Sequence, residues 1–372
     1  MKSIPKLNKI NAGQRIFYNP TKIEKQIFLD IKREIEKKYG IRLSSREQII
    51  KQLIETLTHG NHESYLLPRI DLRIVRSDIK NFFPSVNKHS LYKKISQGNM
   101  LSLSTIDILK PMFFSSSVSG IPLGLPFSNA LSEVYLENFD QDIRTAFNPI
   151  FYFRYVDDII IINYNNNRIT SETDLNILRE VFKTHFLLLN ETKTEFSVFK
   201  NNEELNFNYL GYHFTSDKGK LLINISDCKF KKLINKIKRD FYNYKQSSRS
   251  KKQFWILYYK IMNIIYGVTS IDKYGKNMQF GLGFTYRFIN DKSQMLDLLN
   301  IIKGLIFSCK FSSYQCSTLL SLISYKNTPL EILGRRYDYT RLTKNQFRII
   351  KNRLNLNTAS NNISRIFFSI YK

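Results

Sequence analysis

The stretch Phe153 to Ile162, Phe-Arg-Tyr-Val-Asp-Asp-Ile-Ile-Ile-Ile, constrains this chain more than any other. An apolar run, Ile150 to Phe153, precedes two adjacent carboxylates, Asp157 and Asp158, and a second run, Ile159 to Ile162, follows them. Runs of this length read as buried strands. A buried strand does not ordinarily carry two anions, because an unpaired buried charge is costly. Side chains on a regular strand also alternate faces, so neighbouring Asp residues would diverge. Both conflicts disappear if Val156 to Asp158 form the tip of a β-hairpin and bind metal. The competing reading is a solvated Asp-Asp turn, since Asp is a common turn residue.

Charge adds a second constraint. The chain has 372 residues, with 57 Lys+Arg against 31 Asp+Glu and a net charge of +26. A hydrophobic content of 42% and an aromatic content of 14% indicate a folded protein of two or three subdomains. The basic excess points to a polyanion, most often nucleic acid. An AT-rich coding bias would raise Lys, but would not by itself keep acidic residues so few. Cys228, Cys309 and Cys316 are too scattered for a disulfide framework or a four-ligand zinc site. His59 and His62 are spaced as metal ligands can be, but their polar Gly-Asn loop reads as solvated. Met1 to Gln14 carry positive charge without an apolar segment, unlike a signal peptide. No run approaches the ~20 apolar residues of a membrane span. A soluble, reduced, cytoplasmic chain without a membrane partner is expected.

Taken in order, Thr21 is a candidate cap for a helix to Lys38, with Ile23, Ile27, Ile31 and Ile35 on one face and Gly40 as its stop. Ser44 or Ser45 opens a second helix bearing Ile49, Ile50, Leu53, Ile54 and Leu57. Residues 72 to 77 alternate toward a strand that delivers Asp78, followed by Phe82, Phe83 and Pro84. Asn87 caps a helix to about Ile95, and another spans about Thr105 to Phe113. Gly120-Ile-Pro-Leu-Gly-Leu-Pro-Phe-Ser128 is a rigid loop whose backbone can approach a ligand closely. Ser128 is the candidate cap of the next helix, with Leu131, Tyr135, Phe139 and Ile143 spaced by four. Beyond the hairpin come a loop, Asn163 to Asn167, and a helix capped by Ser171. An apolar strand then presents Lys193, and Asn208 to Phe214 read as one strand with Gly211 inside it. Lys220 to Ile225 would pair with that strand. From Lys229 to Tyr244 and from Trp255 to Tyr266 two helices mix Lys with aromatics, as backbone contact and base stacking require. Trp255 itself reads as core. Residues 291 to 372 look helical and basic.

Asp78, Asp157 and Asp158 at strand edges are the carboxylate set that two-metal phosphoryl transfer needs. Two Mg2+ ions ~3.5–4 Å apart activate an attacking hydroxyl and stabilise the leaving oxygen. Mg2+ takes oxygen ligands and shares them with substrate phosphates and water.

At this point the chain resembles the reverse transcriptases, through five motifs in order. Asp78-Ile-Lys-Asn-Phe-Phe is similar to the first palm motif, and Gly124-Leu-Pro-Phe-Ser128, with its helix to about Asp140, to the second. Tyr155-Val-Asp-Asp158 resembles the Tyr-X-Asp-Asp signature. Asn190-Glu-Thr-Lys193 resembles the motif whose Lys protonates pyrophosphate, and Tyr209-Leu-Gly-Tyr212 the primer grip. The resemblance covers residues 65 to 215 well and 216 to 290 by position only. It implies that Asp78 and Asp157 are the main metal ligands, helped by the Ile79 carbonyl, with Asp158 completing the acidic site. Lys193 would be the general acid. Gly124, Pro126 and Ser128 would shape the floor under the incoming base pair, and Tyr155 would border it. Phe83 would stand against the incoming sugar and exclude a 2′-hydroxyl, while Phe82 packs in the core. The terminal hydroxyl of a primer would be the nucleophile.

One residue departs from the family pattern: Leu123 stands where Gln often precedes the Gly of the second motif. The wording from Ile121 to Ser128, with Asn129 next, is more similar to bacterial abortive-infection and defence-associated reverse transcriptases. Some of those use a dedicated noncoding RNA, some polymerise without a template, and some prime on protein.

The resemblance therefore implies an α+β right-hand polymerase fold with a helical C-terminal region. Residues 1–70 would be an N-terminal helical, fingers-like region and 71–215 palm and fingers with an antiparallel sheet. Residues 216–290 would be a helical thumb and 291–372 a basic extension. The implied activity is RNA-directed DNA polymerase with two Mg2+ ions, Mn2+ being an alternative. Implied partners are deoxynucleotides, an RNA template, a DNA product, and a second subunit or another copy of the chain. A retron or group II-like enzyme, and a catalytically silent nucleic-acid-binding palm, are the alternatives.

Overall fold

The computed structural model describes residues 2–13, 15–61, 63–166, 168–200, 203–272, 275–356 and 363–371. Met1, Gln14, His62 and Asn167, which enter expectations above, lie outside the described residues. The chain divides into two compact units, Met1–Leu205 and Asn206–Lys372.

The first unit opens on a hairpin, β1 (Asn8–Ala12) and β2 (Arg15–Asn19), then α1 (Lys22–Lys38) and α2 (Arg46–Leu57). Thr21 and Glu24 form a capping box, and so do Ser45 and Gln48. Each box satisfies backbone donors that a helix start leaves orphaned. The inward face of α1 differs from the spacing-by-four expectation. Ile23 is 77% exposed, whereas Glu24 is buried because its carboxylate accepts from the Thr21 and Lys2 amides. All five apolar residues assigned to α2 are buried.

The central strand is β3 (Leu72–Asp78). After it come the single turn α3 (Phe82–Ser85), then α4 (Lys88–Gly98), α5 (Leu103–Phe114) and α6 (Ser128–Phe147). The hairpin β4 (Phe151–Tyr155) and β5 (Asp158–Tyr164) follows, then α7 (Ser171–Thr184) and β6 (Glu195–Phe199). The sheet runs β4-β5-β3-β6, antiparallel throughout. The expected alternation in β3 is absent, because both its faces are covered. Even Arg73 is buried there, 3.1 Å from the buried Asp174 carboxylate of α7. Ile159, Ile160, Ile161 and Ile162 of β5 are each at most 1% exposed. Each such side chain contributes roughly 1.5–3 kcal/mol by leaving water. Edge-to-face pairs, Phe28 with Phe127 and Phe139 with Phe182, lock α1, α6 and α7 into one core with this sheet. Two cap assignments move by one residue: Thr170, not Ser171, caps α7, and Ser128 lies inside α6.

The second unit begins with an antiparallel meander, β7 (Asn206–Tyr209), β8 (Tyr212–Asp217) and β9 (Lys220–Ile225). Asn208 to Phe214 are thus two strands. Leu210 (φ +45°) and Gly211 (φ +80°) both take left-handed backbone, which makes a two-residue hairpin turn between them. Helices α8 (Asp227–Gln246) and α9 (Lys251–Ile265) follow, α9 with Trp255 buried and Arg353 stacked 3.6 Å above its ring. A second sheet joins β10 (Gly267–Ile271), β11 (Asn277–Phe280) and β12 (Arg336–Asp338), with β12 parallel to β10. The sequence reading contains no strand here: these strands are short, and β12 pairs across some 65 residues of intervening chain. Around them lie α10 (Leu282–Thr285), α11 (Lys292–Ser308), α12 (Ser313–Ile323), α13 (Glu331–Gly334), α14 (Lys344–Leu354) and α15 (Ile363–Tyr371).

Candidate active site

The β4–β5 hairpin has a two-residue loop, Val156 and Asp157, closed by the pair Tyr155 and Asp158. Val156 has φ +60°, whereas Asp157 is not in the positive-φ region. That is the pattern of a type II′ turn, whose first residue is normally Gly. A β-branched residue there stores strain, of a kind that collects at functional sites. The loop also answers why two adjacent Asp residues need not diverge: Asp157 is in the turn and only Asp158 belongs to the strand. Asp158 pairs with Asp78 across β5 and β3, and opposed residues on neighbouring strands hold their Cβ atoms about 4.5–5.5 Å apart. The Ile79 amide donates to the Asp157 carbonyl at 3.1 Å, which stitches the end of β3 to the hairpin tip.

Lys193 reaches the same point from the other side of β3. Its Nζ is 2.8 Å from Asp78 Oδ2, and Asn190 Nδ2 donates to that oxygen at 2.7 Å. The segment before it is not the expected strand. Only Leu189 bridges to Ile79, Leu188 is 55% exposed, and Glu191–Lys193 is a 3-10 turn. The turn carries Lys193 back over Asp78, while the Asn190 amide bonds the Asp78 carbonyl at 3.0 Å.

The electrostatics follow from three carboxylates in one partly buried place. Burial raises the Asp157 carboxyl, and the Asp78 charge raises it further. Burial pushes Asp158 up to about 6, with Asp157 and Asp78 adding to the shift and Arg76 and Lys193 opposing it. The hydrogen bond to Asp78 raises Lys193 above its usual range. Among the described residues no three acidic, His or Cys side chains already form a metal cage. The donor chemistry nevertheless fits a hard divalent cation. The groups are carboxylate oxygens, raised first by burial and then by their mutual repulsion, and a cation among them would favour their charged forms.

The Gly120–Ser128 loop is fixed by close backbone approach. A Cβ on Gly120 (φ +54°) would stand 2.0 Å from the Phe83 carbonyl, which accepts from the Ile121 amide at 2.8 Å. A Cβ on Gly124 (φ +90°) would stand 2.8 Å from the Tyr18 carbonyl, and the Tyr18 amide donates to the Leu123 carbonyl. Ser128 does not cap α6. Its buried hydroxyl donates to the Pro122 carbonyl and so ties the loop's two ends together. Phe82 is buried and Phe83 half-buried, but they belong to the turn α3, entered through left-handed Asn81, rather than to a strand end. Their different exposure arises from helical rotation, not strand alternation.

Asp78, Ile79, Asp157, Asp158 and Lys193 are therefore joined by direct bonds or pairing. Tyr155 adjoins them as the half-exposed residue closing the hairpin. Phe83 is tied to the glycine-rich loop. No hydrogen bond or ion pair joins Gly124, Pro126 or Ser128 to the carboxylates among the described residues. Sequence reasoning passes over Arg154, although it lies within the defining stretch. Its buried guanidinium pairs with Glu133 and Asp140 of α6 and donates to the Val156 carbonyl. A signal existed: an Arg on an apolar strand requires carboxylates, and Glu133 and Asp140 lie two helical turns apart on one face.

A family profile described as reverse transcriptase (RNA-dependent DNA polymerase) matches residues 30–214. Residues 30–214 are a reverse transcriptase domain. In this domain the antiparallel sheet is the palm, and the fold class is the mixed helix-and-strand one that the motifs imply. No curated protein matches the chain in sequence. Among solved structures it is similar to telomerase from Candida albicans in complex with a TWJ fragment of telomeric RNA, at 10% identity and TM-score 0.42, over 94% of this chain and 54% of that one. Telomerase from Candida tropicalis with the same kind of fragment gives 12% identity and TM-score 0.41, over 94% and 56%. The truncated apo enzyme from Candida tropicalis gives 14% and 0.35, over 54% and 44%. The chain spans about half the length of these telomerases. No helix among the described residues is long and apolar enough to cross a membrane.

Proposed function

We propose that the chain is an RNA-directed DNA polymerase that extends a primer hydroxyl with deoxynucleotides. The observation that carries this reading is the convergence of Asp78, Asp157 and Asp158 at one end of the palm sheet, with Lys193 on Asp78. Asp78, Asp157 and Asp158, with the Ile79 carbonyl, would hold two Mg2+ or Mn2+ ions. When bound, such ions supply Lewis-acid charge at the reacting phosphate and lower the pKa of the attacking hydroxyl. The remaining work belongs to the chain's own groups. Lys193 is protonated at neutral pH and is 60% exposed, so it can swing from Asp78 to hand a proton to the leaving pyrophosphate. The loop holding Gly124, Pro126 and Ser128 supports the incoming base pair beside Tyr155. Phe83, anchored through its carbonyl to Ile121, presents its ring to the sugar.

Residues 216–290 would then serve as thumb and 291–372 as a basic extension, α8 and α9 supplying cationic surface to the nucleic acid. The Ile121 to Ser128 wording supports a bacterial anti-phage role, with a dedicated noncoding RNA as template and a second subunit or further copy as partner, in the cytoplasm. The test begins with the RNA that copurifies, sequenced before and after deoxynucleotides and Mg2+ are added. DNA complementary to that RNA is expected, and Phe83→Ala should raise ribonucleotide use relative to deoxynucleotide use by roughly tenfold. Absence of DNA synthesis by the wild-type protein on its own RNA would overturn the polymerase reading. Unchanged sugar discrimination in folded Phe83→Ala would remove the gate alone. Expression of the locus in a phage-challenged host, without reduced plaque formation, would remove the defence role.

A further inference from the structure

Every donor of the Arg154 guanidinium is used. Nε donates to Asp140 Oδ1 at 2.8 Å. Nη2 donates to Asp140 Oδ2 at 2.8 Å and to Glu133 Oε2 at 2.6 Å. Nη1 donates to Glu133 Oε1 at 3.1 Å and to the Val156 carbonyl at 3.0 Å. The side chain is only 4% exposed, and Tyr152 adds a hydroxyl donor to Asp140. Glu133 and Asp140 thus fasten Arg154 to α6, and its last donor grips the loop that holds Asp157.

The gripped atom matters. The Val156 carbonyl belongs to the peptide between Val156 and Asp157, the central peptide of the turn. Flipping that peptide converts a type II′ turn to type I′, with positive φ at both loop residues. The flip would suit Val156, whose present conformation is the one Gly favours. It would also turn Asp157 away from its present direction. We propose that Arg154 is the positioning residue of the carboxylate loop: it holds the Val156–Asp157 peptide in an orientation that only Gly would keep unaided, and so aims Asp157 at the reaction centre. The kinetic part of this rests on the polymerase reading above. The competing role for Arg154 is a buried ion pair that merely fastens β4 to α6.

A four-way cycle separates the two: wild type, Arg154→Lys, Val156→Gly and the double variant. Lys keeps a cation between Glu133 and Asp140 but lacks the planar fork that also reaches the carbonyl. Arg154→Lys should lower turnover at saturating deoxynucleotide by about tenfold or more, with KM within about twofold, because misplacing a reacting group costs rate rather than ground-state binding. Mn2+ affinity, read by electron paramagnetic resonance, should fall with it. Val156→Gly should recover most of both losses in the double variant, since Gly keeps the turn without help. A purely structural ion pair would not be rescued from the loop. Full turnover and Mn2+ affinity in Arg154→Lys, or a loss that Val156→Gly leaves untouched, would overturn the proposal. If Arg154→Lys does not fold, Glu133→Gln slackens the same guanidinium and carries the same cycle. If the wild type makes no DNA, the polymerase reading fails, but crystal structures of the four proteins still decide the loop. A flipped central peptide in Arg154→Lys, restored in the double variant, is the expected result; an unflipped one in Arg154→Lys overturns the proposal.

Discussion

The chain contains two tight hairpins of nearly the same design, Tyr155-Val-Asp-Asp158 in the first unit and Tyr209-Leu-Gly-Tyr212 in the second. Each has a two-residue loop behind a Tyr. The second comes closer to local consistency, although Leu210 also takes left-handed backbone. Gly211 supplies one of its two left-handed residues, and both closing rings, Tyr209 and Tyr212, are at most 2% exposed. The first inverts each choice: Val156 stands where Gly belongs, Tyr155 is 37% exposed, and its partner is a carboxylate. The second hairpin is held by its own turn residue, by burial and by the Ser226 amide, which donates to the Gly211 carbonyl at 3.0 Å. The first, which has to present charge, adds a buried cation to such contacts: Arg154 donates to its central Val156 carbonyl, beside the Ile79 amide on the Asp157 carbonyl. Local agreement is missing where function is placed, and the surrounding structure compensates.

The largest effect that separates the hairpins is catalytic. Asp157→Asn keeps the size of the side chain and removes its charge, so DNA synthesis should fall by at least about a thousandfold, or roughly 4 kcal/mol of barrier. Circular dichroism and the unfolding midpoint should be unchanged or slightly raised. Retained synthesis under Mg2+ would show that the charge at the tip of the first hairpin is not needed for the reaction.

Next in size is the contrast between the tyrosines. Tyr212→Ala empties a buried site and removes the hydroxyl that donates to the Thr285 carbonyl at 3.0 Å, which should cost about 3–5 kcal/mol. Tyr155→Ala should cost under about 1 kcal/mol, because that ring is already half in water. Urea unfolding of both variants measures the difference. Equal losses would mean that Tyr155 is a packing residue after all.

The third prediction uses pH. Asp158 titrates near 6 in the folded chain and near the ordinary Asp value when unfolded. Between those values the native state binds more protons than the unfolded state, so stability falls as pH rises from about 4 to 6. The loss is complete above that window and should be on the order of 2 kcal/mol after allowance for partial exposure. Asp158→Asn should therefore unfold at a higher temperature than wild type at pH 7.5, in chelator, and at nearly the same temperature at pH 4. A constant difference between the two pH values would contradict the raised, partly buried Asp158 carboxyl.

The smallest effect concerns the turn residue of the other hairpin. Gly211→Ala places a Cβ on left-handed backbone and should cost about 1–2 kcal/mol, visible as a lower unfolding midpoint. A gain in stability would mean that the second turn does not need its glycine.

Much of the site was legible in the sequence because its signals are local. Asp78 closes an apolar strand, Asp157 and Asp158 interrupt another, and Lys193 follows a third apolar segment, all within ordered motifs. Thr21, Ser45 and Asn87 announced helix starts because a cap depends on three or four neighbouring residues. Tertiary structure decided what depends on residues distant in the chain. Arg73 became buriable only because α7 brings Asp174 to it, and β12 became a strand only because β10 was there to pair with. Ser128 gave up the cap when the Pro122 carbonyl came within reach of its hydroxyl. Local sequence can specify a turn, a cap or a carboxylate at a strand end. It cannot specify which distant group satisfies a buried charge, because that partner is fixed only when the elements pack, and for Arg154 the partners come from a helix that ends before its own strand begins.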